Sequence, residues 1–299
     1  MTNKNLPCRL LYDARGADLF ERITAVADYY VTRAEVALLE AKLPAIAILV
    51  GRKARVIEPG SGAGRKTRML LAALDRPATY VPIDVAEDQL ADTAETLHAA
   101  FPDLEVLPVL GDYMQQLVLP TSTRPLGTTI VFFPGSTIGN FEPDEAQRFL
   151  TELARLAGPD AMILLGADGN ANPDELLRAY DDREGVTAEF NLNVLSHINT
   201  THRANFDVSQ FTHRALWNTA KSRIEMHLVS KRPQTVTVGG HRFNFRRGEH
   251  IVTEHCYKHA PATLETILRE SGWRVAETFV DPDQRMRLWL ADCARSHRV

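Results

Sequence analysis

Three acids, Glu58, Asp84 and Asp112, each stand where an apolar run stops. The first opens Glu58-Pro59-Gly60-Ser61-Gly62-Ala63-Gly64, a turn between a strand-like run and an amphipathic helix pattern. Glycines at such a turn allow positive φ and let the backbone approach a ligand closely. Alone, the run fits a dinucleotide site or a plain tight turn equally well. Asp84 closes the next strand, at a distance downstream where a carboxylate can take ribose hydroxyls. Asp112 of "GDY" follows a third strand at the same carboxyl edge of the expected sheet. There it can accept the exocyclic amine of an adenine, while Tyr113 packs on the base.

An acid at the mouth of the first strand, one after the second and one after the third suit a ligand with a cationic amino-acid end, a ribose and an adenine. S-adenosylmethionine is such a ligand. NAD would instead favour bare amides facing a pyrophosphate, with no acid in the place of Glu58. A nicotinamide-dependent oxidoreductase is therefore the rival to a methyltransferase, and the cofactor that raises the melting temperature separates them.

The bulk composition agrees with a small ligand. The 299 residues carry a net charge of −4, with 44% apolar and 24% charged residues, the balance of an ordinary soluble globular chain. Polyanion binding leaves a basic excess on a domain, so nucleic acid is not an expected partner. Cys8, Cys256 and Cys293 are far apart and show no CxxC spacing, which indicates neither a disulfide framework nor a structural zinc. The ten histidines are scattered, and no metal is expected. The opening "MTNKNLPCRLLYDARG" lacks the apolar core of a signal peptide and no apolar run is long enough to span a bilayer, so a cytoplasmic, membrane-free protein is expected.

The elements that must position these acids follow from periodicity. Residues 18–26 and 33–48 read as helices. Then come strand 54–58, helix 64–75, strand 79–84, helix 87–100, strands 105–109 and 128–133, helix 143–157 and strand 160–166. This alternation predicts an α/β fold, a parallel sheet with helices on both faces. From about residue 171 a helical pair (173–182 and 185–199) precedes alternating β-branched and aromatic residues around "VGGH", a hairpin signal. Helix 261–271 and two strands joined at "DPDQ" would complete the first sheet with an antiparallel pair.

Three long stretches carry a family resemblance: "LLYDARGADLFERITAVADYYVTRAEVALLE", "GSTIGNFEP" and "NLNVLSHINTTHRANFDVSQFTHRALWN". With them the chain resembles, from about residue 8 to 292, the L-histidine Nα-methyltransferase family of ergothioneine biosynthesis. The resemblance implies a class I (Rossmann-like) S-adenosylmethionine-dependent methyltransferase sheet with a discontinuous α+β substrate-binding domain. Residues 35–170 and 259–299 would form the first domain, and 1–34 and 171–258 the second. It implies cofactor positions at Tyr12, Gly60, Lys66, Asp84, Asp112 and Tyr113. Tyr30, Gly135, Thr137, Asn140 and Tyr180 match the positions for the amino-acid backbone. Met226 and Glu254 match those reading its side chain, and Phe20 lines the same pocket by analogy. A monomer or weak dimer is expected.

Family members acting on histidine hold the imidazole with a glutamate and a serine two residues on, as in "TEVS". Here the stretch is Thr253-Glu254-His255-Cys256. A strand puts Glu254 and Cys256 on one face and His255 on the other. Cys256 is a weaker donor and acceptor than a hydroxyl; the α-amino group of L-histidine is still the expected target, with arginine, whose guanidinium suits Glu254, as the runner-up. Methylation of a side-chain nitrogen and a non-catalytic S-adenosylmethionine-binding protein are further alternatives. "GADGNANPDE" also departs from the family's more apolar text, with Asp168 kept in register.

Methyl transfer is an in-line displacement that needs the nitrogen about 3 Å from the methyl carbon and unprotonated. Uncharged acceptors (the Asn140 side-chain oxygen, the Gly135 carbonyl, the Thr137 hydroxyl) avoid stabilising an ammonium. Asn140 and Tyr30 are the expected catalytic pair, Tyr30 guiding the proton away.

Overall fold

The computed structural model describes residues 4–62 and 64–294. Ala63 of the glycine turn and the expected domain ends at 1–3 and 295–299 lie outside the described residues. The chain divides into two compact units, one of Ala34–Ile138, Glu142–Gly169 and His259–Val299, the other of Met1–Arg33, Gly139–Phe141 and Asn170–Lys258.

The first unit is built on an eight-stranded sheet. Strands run in the order Trp273–Val280, Met286–Cys293, Met162–Asp168, Thr129–Phe133, Arg55–Pro59, Thr79–Asp84, Glu105–Val106, with Val109–Leu110 also pairing Thr79–Asp84. The inner strands are parallel, and the last two residue ranges of the chain close the other edge as an antiparallel pair. Val56, Ile57, Val81, Ile83, Ile130, Val131, Phe132, Ile163, Leu164 and Leu165 are fully buried. Near-continuous apolar runs of this kind mark strands covered on both faces.

The helix Pro143–Ala157 shows how the sequence writes its own limits. Glu142 and Glu145 form a reciprocal capping box, Pro143 occupies the first turn, and Ala146, Phe149, Leu150, Leu153 and Ala157 form the buried stripe. Proline there fits because that turn has no intrahelical N–H bond to lose. The strand expected over 105–109 is instead two short pieces, Glu105–Val106 and Val109–Leu110. Pro108 between them has no N–H to add to the ladder.

The second unit holds a four-stranded sheet in the order Lys4–Asn5, His250–Tyr257, Arg223–Ser230, Phe211–Asn218. Its strands are antiparallel except Lys4–Asn5, which pairs in parallel with Ile251 and Val252. The "VGGH" signal forms the turn of the hairpin Gln234–Val238 and His241–Phe245, with φ of 55° and 86° at Gly239 and Gly240. Two positive φ values in a two-residue turn match the right-handed twist of the flanking strands.

Helices Ala14–Ala25, Pro173–Tyr180 and Val186–Thr201 belong to the same unit. The first begins four residues before the expected 18–26 because Asp13 caps it, accepting the Gly16 N–H at 2.9 Å. No element was expected at Phe211–Asn218, although Phe211, His213 and Ala215 alternate inward there. Among the described residues no helix is long and apolar enough to cross a membrane.

Candidate active site

Parallel pairing brings three expected cofactor residues of the eight-stranded unit, and Gly135 expected at the amino-acid backbone, to one edge. Gly60 follows Arg55–Pro59, Asp84 ends Thr79–Asp84, Asp112 follows Val109–Leu110 and Gly135 follows Thr129–Phe133. Ligands of open α/β sheets bind at this carboxyl edge. Gly60, Gly62 and Gly64 have φ of 72°, 49° and 68°. A Cβ at Gly60 would stand at an ordinary 3.6 Å from the Tyr113 ring, so backbone conformation and not space requires glycine there.

Asp84 accepts the Val85 and Ala86 N–H groups at 2.7 and 3.1 Å, both on Oδ1. Its backbone contacts thus fix the carboxylate while leaving Oδ2 out of those bonds. Asp112 Oδ1 likewise accepts from Met114 N–H at 2.9 Å. The half-buried Tyr113 ring lies 5.5 Å from that of Phe149.

Glu58 departs from the expectation of an open acid at the strand's mouth. It is 2% exposed and accepts from Thr67 Oγ1 at 2.7 Å and Tyr80 Oη at 2.6 Å. Burial pushes its pKa up to about 7, against those hydroxyls and the nearby Lys66 charge. The residue therefore ties the helix Arg65–Ala73 to the strands beneath it, and its carboxylate is closed into the core.

Lys66 pairs with Glu35, which the sequence reading did not single out. Glu35 is fully buried and also accepts the Gly135 N–H, at 2.8 and 2.9 Å on its two oxygens. A Cβ at Gly166 would stand 1.9 Å from Glu35 Oε1, so the small residue in the neighbouring strand makes room for this acid. Gly135 has φ of 87°, and a Cβ on it would meet Thr137 Oγ1 at 3.2 Å and Lys66 Nζ at 3.5 Å. Thr137 Oγ1 donates to the Pro134 carbonyl at 3.0 Å. Lys66, expected with the cofactor, and Gly135 and Thr137, expected with the amino acid, thus form one cluster around Glu35.

The remaining expected residues lie in the four-stranded unit. Tyr12 is 41% exposed, its ring edge-on to Phe20 at 5.6 Å and Phe190 at 5.5 Å. Phe20 meets Tyr29 at 6.4 Å, and Tyr29 meets Tyr180 at 6.0 Å. Edge-to-face contacts of this kind make a rigid aromatic wall. Tyr30 is buried at the start of the helix Tyr30–Val50.

Asn140 ends the short 3-10 turn Thr137–Asn140, and its Nδ2 donates to Glu254 Oε1 at 3.3 Å. Glu254 is 7% exposed; burial pushes its pKa up to about 7, opposed by the Lys258 charge. Directly across the ladder stands the buried Met226, and directly paired residues share a face. Cys256 is buried as expected beside Glu254, whereas His255 is only half-buried. Its Sγ lies 2.9 Å from Tyr180 Oη.

Two further residues complete this group. Lys258 Nζ donates to Tyr180 Oη at 2.9 Å and to Cys256 Sγ at 3.4 Å. The same alternation that pairs Glu254 with Cys256 places Lys258 next on that face, so the signal for it was present. His213 Nε2 donates to the Tyr180 carbonyl at 2.8 Å, and its Nδ1 accepts from Asn191 Nδ2 at 2.8 Å. Burial lowers the His213 pKa and favours this neutral ring. Thr253 Oγ1 donates to Asn191 Oδ1 at 2.6 Å and to the Met226 carbonyl at 3.0 Å. These bonds fix Tyr180 and the strand of Glu254 from behind.

His255 and His259 stand four apart, a helical metal-binding interval, but they lie on and just after the strand His250–Tyr257. Among the described residues no group of three His, Cys, Asp or Glu side chains could hold a metal ion.

Over residues 1–293 the chain matches the family model of histidine-specific, S-adenosylmethionine-dependent methyltransferases. It belongs to that family. The histidine N-alpha-methyltransferase of Mycobacterium tuberculosis is 40% identical over 276 residues, covering 91% of this chain and 85% of that protein. The protein of that name from Mycolicibacterium smegmatis is 37% identical over 293 residues, covering 96% and 90%. A solved S-adenosylmethionine-dependent methyltransferase from Clostridium acetobutylicum superposes with a TM-score of 0.52, covering 94% of this chain and 98% of its own, at 10% identity. That last likeness is one of fold.

As a methyltransferase of this family, the enzyme uses S-adenosylmethionine, which when bound supplies an electrophilic methyl group on a sulfonium. The sheet edge fits it: a positive-φ glycine turn gives close approach, the Asp84 and Asp112 carboxylates are held by backbone N–H groups, and Tyr113 offers a half-buried ring.

Proposed function

We propose that this enzyme methylates the α-amino nitrogen of free L-histidine. The observation that carries the reading is one side-chain cluster, the buried Glu254, Cys256, Tyr180 and Met226 with the half-buried Asn140, in which polar groups meet an apolar side chain and the Glu254 carboxyl is held by one amide. The names of the two bacterial relatives support the choice of histidine.

In this reading residues 35–170 and 259–299 take the cofactor and residues 1–34 and 171–258 the amino acid. Tyr12, Gly60, Lys66, Asp84, Asp112 and Tyr113 are the cofactor residues. Tyr30, Tyr180, Gly135 and Thr137 hold the amino-acid backbone, Phe20 flanks it, and Glu254, Cys256 and Met226 read the imidazole.

Asn140 carries the chemical logic. Its amide nitrogen is engaged by Glu254, which turns Oδ1 toward the amine as an acceptor without charge. Such an acceptor binds the neutral amine without favouring the ammonium form, which has no lone pair. Tyr30 guides the departing proton. The rest of the gain is positional.

The enzyme works as a monomer or weak dimer in a reducing cytoplasm, consistent with Cys8, Cys256 and Cys293 as free thiols. Incubation with methyl-labelled cofactor and each proteinogenic amino acid tests the reading. Label is expected in histidine, with mass spectrometry fixing the nitrogen and the number of methyl groups. Cofactor binding with no labelled product would sink it.

A further inference from the structure

Tyr30 and Tyr180, two of the residues expected at the amino-acid backbone, border two short links. Residues 26–29 join the helices Ala14–Ala25 and Tyr30–Val50, and residues 181–185 join Pro173–Tyr180 and Val186–Thr201. Tyr30 directly follows the first link, and Tyr180 directly precedes the second. The Tyr29 ring lies 6.0 Å from that of Tyr180, so the links are packed together.

An ion pair also ties them. Arg183 Nε donates to Asp28 Oδ2 at 3.0 Å, its Nη2 to Oδ1 at 2.9 Å, and its backbone N–H to Oδ2 at 3.3 Å. A guanidinium fork on two carboxylate oxygens fixes distance and plane together. The Asp28 side chain is 10% exposed and that of Arg183 is 79% exposed. Arg183 holds the Asp28 carboxyl below its ordinary pKa, which keeps the pair charged at neutral pH.

Each link is braced from within its own segment. Arg33 Nη1 donates to the Val26 and Tyr29 carbonyls at 2.7 and 3.0 Å, and its Nη2 to the Ala27 carbonyl at 2.6 Å. Asp182 accepts the Val186 and Thr187 N–H groups at 3.0 and 2.8 Å. The fork therefore joins two stiff turns. By contrast, Arg22 and Glu189 also bridge this unit's helices but share one contact at 3.1 Å between half-exposed side chains. Isolated surface pairs of that kind contribute little.

Two side chains that grip one small ligand must keep their separation to within about 0.5 Å. Resting on the proposed binding of the amino-acid backbone by Tyr30 and Tyr180, we infer that Asp28 and Arg183 are positioning residues: their forked ion pair, two residues before Tyr30 and three after Tyr180, holds the two tyrosines at the spacing the substrate needs. Neither residue touches the substrate in this account.

Initial-rate kinetics test this, with the amino acid that the wild type methylates. Asp28→Asn and Arg183→Gln are each expected to raise its KM about 3- to 10-fold, the scale by which a charge-assisted fork exceeds a lone surface pair. The KM for the cofactor should stay at the wild-type value. Asp28→Glu still offers two oxygens to the exposed Arg183 and keeps most of the affinity, and Glu189→Gln leaves it unchanged. Should Asp28→Asn not fold, Arg183→Gln decides, because that side chain lies on the surface. A lowered melting temperature with an unaltered amino-acid KM, or an equal rise in both KM values, confines the pair to folding and overturns the inference. Wild type that methylates no free amino acid sinks the proposed function instead, a result read before any variant is made.

Discussion

Asn140 Nδ2 and Glu254 Oε1 share a hydrogen bond at 3.3 Å. The residue expected at the amino-acid backbone and the one expected at its side chain are therefore one unit. A substrate must fit both ends at once, because moving either acceptor moves the other.

Replacing Asn140 by Asp tests that coupling. It would set a second carboxylate against the buried Glu254 and offer the amine a charged acceptor that favours the ammonium. Histidine kcat is expected to fall about 100-fold, the scale of losing one preorganised polar contact, with cofactor affinity retained. Near wild-type turnover in a steady-state assay would disconnect the pair from catalysis.

Two acids should give the folded chain an unusual pH response. Glu58 and Glu254 are each raised by burial from an ordinary 4.5 to about 7. Between those values the folded chain holds a proton that the unfolded chain has lost, so stability falls as pH rises through the window and is flat on either side. Each contributes up to roughly 3 kcal/mol of that decline. Glu254→Gln removes one share, so urea titrations at pH 5 and pH 7.5 should differ less for the variant than for wild type; equal differences would contradict the buried-acid picture.

Glu35 supports the cofactor side without being expected to touch the cofactor. Glu35→Ala leaves the Lys66 ammonium and the Gly135 N–H without their shared acceptor. Loss of one partner from such a pair costs on the order of 3 kcal/mol. The melting temperature should drop and the cofactor Kd should rise together. A variant with lowered stability but unaltered Kd would confine Glu35 to folding.

Gly139 is a steric prediction. A Cβ there would stand 2.6 Å from the Tyr257 carbonyl oxygen and 3.5 Å from Cys256 Sγ. Gly139→Ala must therefore displace the turn that carries Asn140 or the strand end that carries Cys256. Raised KM for histidine with little change in that for the cofactor is expected from initial-rate kinetics, and a reversed pattern would refute it.

The parts legible in the sequence were those fixed by local pattern. Apolar runs such as Ile130–Phe133 announce a sheet covered on both faces, and "VGGH" announces a turn with two positive φ values. Pro108 shows where that reading stops short: the run 105–109 is apolar enough for a strand, but the missing N–H splits it. Acids were harder. Glu58 and Asp84 both end strands, yet Thr67 and Tyr80 close over the first while backbone N–H groups hold the second at the edge. Which way an acid faces depends on partners from distant segments. Glu35 meets Lys66 and Gly135 only through the fold, and no spacing rule links them. Lys258 was within reach, since alternation from Glu254 and Cys256 leads straight to it.

The strand Lys4–Asn5 is seated on Ile251–Val252. Those partners are far apart in sequence, so the segment with Tyr12 and Phe20 just behind it finds this strand partner only after residues 251 and 252 have been made. The edge-to-face ring cluster of Tyr12, Phe20 and Phe190 just behind that strand is thus anchored to its sheet by a contact of high sequence separation, the kind that forms late in folding.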